Sequence, residues 1–282
     1  MQDLANKTFI VTGANTGIGK ITARELAQRG AHVILACRSK DKTQPVIDDI
    51  QRTTGNKQVE FVQLDLGDLA SVRRCAEELL ARTEPIHGLI NNAGLAGQRG
   101  TTKDGFEIQF GTNHLGHYLF TRLLLDRIKQ SGPARIVNVA SASHYQARQI
   151  DWSALRETTK TTTAMREYAV SKLSNVLFTK ELARRLEGTS VTTYALHPGV
   201  VATDVWRRVP RPFRWVMKKF MVTPEQGAQT TLRCATAPEL AKETGRYYDK
   251  DGKEKRPARL ADDAELAREL WAKSAEWTGL PA

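Results

Sequence analysis

Tyr168 and Lys172 stand four residues apart in Tyr168-Ala-Val-Ser-Lys172, a spacing that sets both side chains on one face of a helix. A tyrosine phenol ordinarily titrates near ~10, too high for acid–base work near neutrality. An ammonium beside it favours tyrosinate, and a shift of about three units needs ~4 kcal/mol of differential interaction. Ordinary helices also carry such pairs, so partners decide the matter. Ser141 ends the run Val137-Asn-Val-Ala-Ser141, where a hydroxyl could hold a carbonyl oxygen beside the phenol. Asn113, in Thr112-Asn-His-Leu-Gly-His117, falls inside a long helical pattern. Asn is a poor helix former, so a kink or a water-binding site is expected there.

A second constellation lies near the start of the chain. Thr12-Gly13-Ala14-Asn15-Thr16-Gly17-Ile18-Gly19 follows an apolar run and precedes a helical one. Such a loop makes a tight turn, lets backbone approach a pyrophosphate and aims helix amides at the anion. That assigns Gly13, Asn15, Thr16, Gly17, Ile18 and Gly19 to a dinucleotide. About 20 residues on, an NAD site needs a carboxylate for the ribose, but this chain reads Cys37-Arg38-Ser39-Lys40. Arg38 can grip a 2′-phosphate with its planar fork, which predicts NADP(H); the alternative is an arginine facing solvent. Asp65 and Leu66 follow the third apolar run and could receive the adenine. Asp65 could equally cap the next helix. In Asn91-Asn92-Ala93-Gly94 small residues stand where backbone passes close to a ribose, and Asn92 could also brace the sheet.

Positioning these groups requires a particular scaffold. Short β-rich runs at 8–12, 31–37, 59–64, 87–91, 135–140 and 191–196, of which 31–37 is continuously apolar, alternate with helical patterns at 18–29, 42–53, 69–82, 105–129 and 168–186. Strands apolar on both faces and separated by helices predict a Rossmann-like α/β fold, a doubly wound parallel sheet covered on both sides. Ligands then sit at the carboxyl ends of the strands. No linker or repeat interrupts the 282 residues, so 1–282 reads as one domain. The stretches 144–166 and 203–223 are long for connections and are expected to build the substrate pocket.

Composition narrows the class. With 40% apolar residues the chain can bury a core, and Cys37, Cys75 and Cys234 make neither a disulfide framework nor a metal spacing. No run approaches a membrane span and the first residues carry no apolar leader, so a cytoplasmic protein is expected. Lys and Arg number 42 against 31 Asp and Glu, a net +11. Most of these cations share helix faces with acids and lack a reader motif, which argues against nucleic acid. His114, His117, His144 and His197 show no metal spacing and read as structural, so no metal is expected.

Taken together, Thr12-Gly-x3-Gly-x-Gly19, Asn91-Asn-Ala-Gly94, Asn113, Ser141 and Tyr168-x3-Lys172 resemble the short-chain dehydrogenase/reductase family. His197-Pro-Gly-Val-Val-Ala-Thr203 is similar to its cofactor-closing turn, which brings in Pro198, Gly199, Val201 and Thr203. Thr112-Asn-His-Leu-Gly-His117 and Ser171-Lys-Leu-Ser-Asn175 resemble the retinol dehydrogenase-like branch and the related WW-domain oxidoreductases. The resemblance spans about residues 5–250 and departs at Ala140-Ser141, where the branch usually reads Ser-Ser. It implies a tetrad of Asn113, Ser141, Tyr168 and Lys172. NADPH would reduce a lipophilic aldehyde or ketone, or NADP⁺ oxidise the alcohol. Tyr168 would donate the proton, Ser141 hold the oxygen, Lys172 tune Tyr168 and grip the cofactor ribose, and Asn113 hold a relay water.

The resemblance further implies a homodimer through the helices at about 105–129 and 168–186. Val205 to Val222 interleaves cations with Trp206, Phe213, Trp215 and Phe220. Two readings stand for it, a lid closing on its own domain or peripheral contact with an anionic membrane surface. Trp271 and Trp277, in a helical tail, are expected to pack on the body. Two other functions compete: a non-catalytic NADP-binding sensor or scaffold of the same fold, and a nucleotide-sugar epimerase. An intact tetrad argues against the first, and the small C-terminal region against the second.

Overall fold

The computed structural model of the chain describes residues 3–199 and 222–282. Val201, Thr203 and most of the 205–222 segment therefore lie outside the described residues, as does most of the 203–223 loop.

Seven strands form one sheet: β1 (Thr8–Thr12), β2 (His32–Cys37), β3 (Val59–Gln63), β4 (Gly88–Asn91), β5 (Ala134–Val139), β6 (Val191–Leu196) and β7 (Arg246–Tyr248). Their order is β3-β2-β1-β4-β5-β6-β7 and every pair is parallel. The β1 residues are all buried, as a strand covered on both faces requires. Helices α1 (Gly17–Gln28) and α2 (Lys40–Thr54) pack on one face together with α6 (Pro224–Thr236). Helices α3 (Leu69–Leu80), α4 (Gly116–Gln130) and α5 (Met165–Arg185) cover the other, with α7 (Ala264–Thr278) laid over them. Local chemistry fixes several ends. Ser39 caps α2, Asp68 caps α3 by accepting from the amides of Ala70 and Ser71, and Thr223 forms a capping box with Gln226 at α6.

The chain order reverses between β1 and β4, so the crevice for a ligand opens beyond the carboxyl ends of these two strands. Each expected strand lies within a residue of its place. The expected helix over 105–129 is different. Gly105 has φ +79° and belongs to a turn. Glu107 then caps a single helical turn, Ile108–Phe110, and a π-helical turn, Gly111–Leu115, intervenes before α4. The kink expected at Asn113 is this π turn. The α5 helix begins at Met165, three residues before the expected start. Strand β7 and helix α6 are not among the expected elements.

The C-terminal tail packs as expected. Trp271 is buried and stacks on Phe178 at 5.9 Å, and Trp277 meets Phe106 and Phe110. This puts α7 across the two long helices expected to carry a dimer contact. Most of 144–166 is pinned to the body: Leu155 is buried, Trp152 packs on Trp277, and Thr159 bonds the buried Glu107 carboxylate at 2.5 Å.

Candidate active site

A crevice of about 820 Å³ opens at the topological switch, which suits a dinucleotide with room for a substrate. The loop after β1 lines one wall with Gly13 and Asn15 through Gly19. Gly13 has φ +64°, and a side chain there would stand 2.9 Å from the Ala93 Cβ, so only glycine lets the loop lie against the end of β4. Thr12 ties the two together. Its hydroxyl accepts from the amides of Asn92 and Ala93 at 3.0 and 2.9 Å, and its carbonyl accepts from the Asn92 carboxamide at 2.8 Å. The bracing role considered for Asn92 is thus present, and Asn92 still faces the crevice with Ala93 and Gly94.

Arg38 lines the crevice directly after β2, beside Ser39 and Lys42, and Asp41 is not among the lining residues. Asp65 and Leu66 line it next to β3. Asp65 is not the α3 cap, because Asp68 takes that role and Asp65 Oδ1 instead accepts from the Gly67 amide. Pro198 and Gly199 close the opposite side.

Ser141, Tyr168 and Lys172 meet in the middle of this crevice. The β5 strand delivers Ser141 in extended backbone, and its carbonyl accepts from His144 Nδ1 at 2.6 Å. Helix α5 carries the other two on one face, both almost fully buried. Lys172 Nζ donates to the Val139 carbonyl at 2.8 Å and lies 5.7 Å from the centre of the Tyr168 ring. Asn113 stands behind them, fully buried. Its Oδ1 accepts from the Leu95 amide, and its Nδ2 donates to the Leu95 carbonyl and to Ser171 Oγ at 3.0 Å. A side chain at Gly94 would fall 3.3 Å from Asn113 Oδ1 and 3.5 Å from Lys172 Nζ, so Gly94 separates the two polar groups by only its backbone.

The electrostatics differ from the simple expectation. Burial pushes the Tyr168 phenol up rather than down, and hydrogen bonding with the Ser141 hydroxyl offsets part of that. Burial also pushes the Lys172 ammonium down to about 8. For the phenol, desolvation is the larger effect and the Ser141 hydrogen bond the smaller, opposing one. His197, also facing the crevice, is pushed down to about 4, first by burial, and its buried Nδ1 has no hydrogen-bond partner among the described residues.

Several crevice residues escaped the sequence reading. Ser39 and Lys42 join Arg38 on the crevice wall; the Ser39 cap, which starts α2 at Lys40, was the available signal for Lys42. Leu95, Gln98, Ser143 and Gln146 border the mouth near Tyr168. Of the 144–166 stretch, Gln146 reaches the crevice, while Trp152, Leu155 and Thr159 pack elsewhere. His114, His117 and His144 are buried and hydrogen-bonded within the protein, in keeping with a structural reading.

Comparison with known proteins agrees with this geometry. Residues 7–212 match the family model described as short chain dehydrogenase. The chain is 46% identical to human retinol dehydrogenase 13 over 291 aligned positions, covering 99% of this chain and 86% of that protein. It is 47% identical to human retinol dehydrogenase 11, covering 99% and 87%. Among solved structures, that of an uncharacterised protein from Mycobacterium paratuberculosis matches with a TM-score of 0.79 at 36% identity, covering 99% of this chain and 96% of that one.

Proposed function

The chain belongs to the short-chain dehydrogenase family of oxidoreductases, whose members bind a nicotinamide cofactor, and from that premise we propose an NADP(H)-dependent enzyme. It interconverts a lipophilic aldehyde or ketone with its alcohol, retinal-like in class. The observation that carries this reading is the convergence of Tyr168, Lys172 and Ser141 in the crevice that the glycine loop also lines.

The residues present fit the cofactor. Gly13 and Gly17, without side chains and both at positive φ, let the loop backbone lie close to a pyrophosphate at the start of α1, Arg38 and Lys42 offer two cations where a 2′-phosphate would lie, and the Asn92–Gly94 stretch has no bulk to exclude a ribose. When bound, the nicotinamide supplies the hydride. Tyr168, kept protonated by burial, gives its proton to the carbonyl oxygen as negative charge develops there. Ser141 donates a hydrogen bond to the same oxygen. Lys172, with an ammonium that titrates near neutrality, can return a proton toward the phenol, and Asn113 holds the turn behind it. A phenol whose proton is held tightly suits reduction, because oxidation of an alcohol needs tyrosinate as its base. The lipophilic substrate class draws on the names of the retinol dehydrogenase relatives.

The test is NADPH consumption across polyene, aromatic and aliphatic aldehydes and ketones, repeated with Arg38→Asp. We expect turnover with NADPH, and in the variant a KM for NADPH raised at least about tenfold while that for NADH changes little, as loss of a charge-assisted contact implies. Equal effects on both cofactors would refute the NADP assignment.

A further inference from the structure

His117 is a buried titratable group that the proposed chemistry does not use. It lies at the start of α4, directly after the π turn that carries Asn113. Its Nε2 is 2.9 Å from the Thr12 hydroxyl, and its Nδ1 is 3.0 Å from the Asn113 carbonyl. The ring therefore touches the strand end that holds the cofactor loop and the backbone of the residue behind Lys172.

Hydrogen-bond accounting fixes its state from both ends. The Thr12 oxygen already accepts from the Asn92 and Ala93 amides, which uses both of its lone pairs. Its own proton must then be given away. The Ile90 carbonyl lies at 3.4 Å and His117 Nε2 at 2.9 Å, so the imidazole nitrogen is the better acceptor. At the other end the Asn113 carbonyl can only accept, so Nδ1 must carry the proton. Both ends require the same neutral tautomer, Nδ1–H with Nε2 bare. A second proton on Nε2 would face a hydroxyl with no lone pair left. Burial, with the charge of Lys172 from α5 adding to it, disfavours that form too, while the Asn113 carbonyl favours the proton on Nδ1. His114, one turn earlier and also neutral by burial, is the other titratable group beside it.

We propose that His117 is a positioning residue, which as the neutral Nδ1–H tautomer fastens the Asn113 carbonyl to the Thr12 hydroxyl and so keeps the π turn behind Lys172 in register with the Asn92–Gly94 cofactor wall. This rests on the oxidoreductase reading for its catalytic consequence and on hydrogen bonding alone for its tautomer. It also accounts for the π turn: the Gly116 amide reaches back five residues to the Gly111 carbonyl, and the Asn113 carbonyl takes an imidazole donor beside it.

Two measurements test it. Nitrogen-15 NMR of the wild-type imidazoles should find His117 neutral and protonated at Nδ1 down to about pH 5; an Nε2–H tautomer, or titration near the ordinary histidine value, overturns the proposal whatever the turnover. Kinetics of His117→Phe and His117→Gln supply the second. Gln offers an oxygen to Thr12 and an N–H to Asn113, so it should keep kcat within about threefold, whereas Phe should lower kcat roughly 10- to 100-fold with the carbonyl KM nearly unchanged, the scale of a small misplacement. Equal losses in both variants, or none in His117→Phe, refute the positioning role. Should His117→Phe not fold, the Gln variant and the wild-type spectrum still decide. A wild-type protein that consumes no NADPH with any carbonyl would sink the functional reading, and the imidazole spectrum would still decide the tautomer.

Discussion

Lys172 shows how function and stability oppose each other at one side chain. Its ammonium is buried against the Val139 carbonyl and titrates at about 8 rather than 10.5. The unfolded chain therefore holds this proton more tightly. Below about pH 8 both states are protonated and the full penalty of burying the charge is present; between about 8 and 10.5 it fades, so stability rises with pH across that window. Lys172→Met should thus leave the protein as stable as the wild type or up to about 3 kcal/mol more so, while removing nearly all turnover. Thermal unfolding beside NADPH-linked assays checks this, and a large loss of stability would contradict it. At this scale the sequence was informative about placement: type and spacing suggested that Tyr168, Lys172 and Ser141 share one site, and the structure puts all three on the wall of one crevice. The direction of the Tyr168 shift was not legible, because spacing places an amine nearby but says nothing of the burial that raises the phenol.

At the scale of elements, the glycine turn after β1 both bends the chain and makes room for a neighbour, and a second glycine separates these roles. Gly13 (φ +64°) abuts Ala93, whereas Gly55 at the end of α2 has φ +73° with nothing within 4 Å of where a Cβ would stand. Gly13→Ala adds a clash to backbone strain and should cost about 2–4 kcal/mol and weaken NADPH binding; Gly55→Ala should cost about 1–2 kcal/mol and leave binding alone. Unfolding curves and NADPH titration separate the two, and equal effects on binding would refute the contact. The buried strands were legible because short runs of β-branched, aromatic and other apolar residues between turn signals leave little choice, as in Thr8–Thr12 and Val191–Leu196. Strand β7 was not, since three residues beside Gly245 carry no period. The π turn was only half legible: Asn113 marked an irregularity, but its form depends on bonds to Leu95, Ser171 and His117 that are distant in sequence or set by packing.

For the whole molecule, the position of α7 bears on assembly. It lies over α4 and α5, with Trp271 between Phe178 and Tyr118 and the guanidinium groups of Arg122 and Arg185 on the indole at 4.7 and 4.2 Å. Ser274 bonds His114 at 3.0 Å from the same helix. A second copy cannot pack its own two long helices against this face while α7 holds it. Sedimentation at micromolar concentration should therefore find a monomer, and a stable dimer would mean that another surface pairs. No described helix is long and apolar enough to cross a membrane. The tail's aromatic residues hinted at packing in the sequence, but which helices they cover depends on the sheet order, which no local pattern encodes.

The central claim is that the Tyr168 phenol gives the proton in a nicotinamide-linked carbonyl reduction, and Tyr168→Phe tests it most directly, since it removes one oxygen from a packed ring. Steady-state kinetics with the best aldehyde, together with NADPH binding, should find kcat reduced by about 10³-fold or more with the NADPH Kd within about threefold. A variant that retains near wild-type kcat would contradict the account.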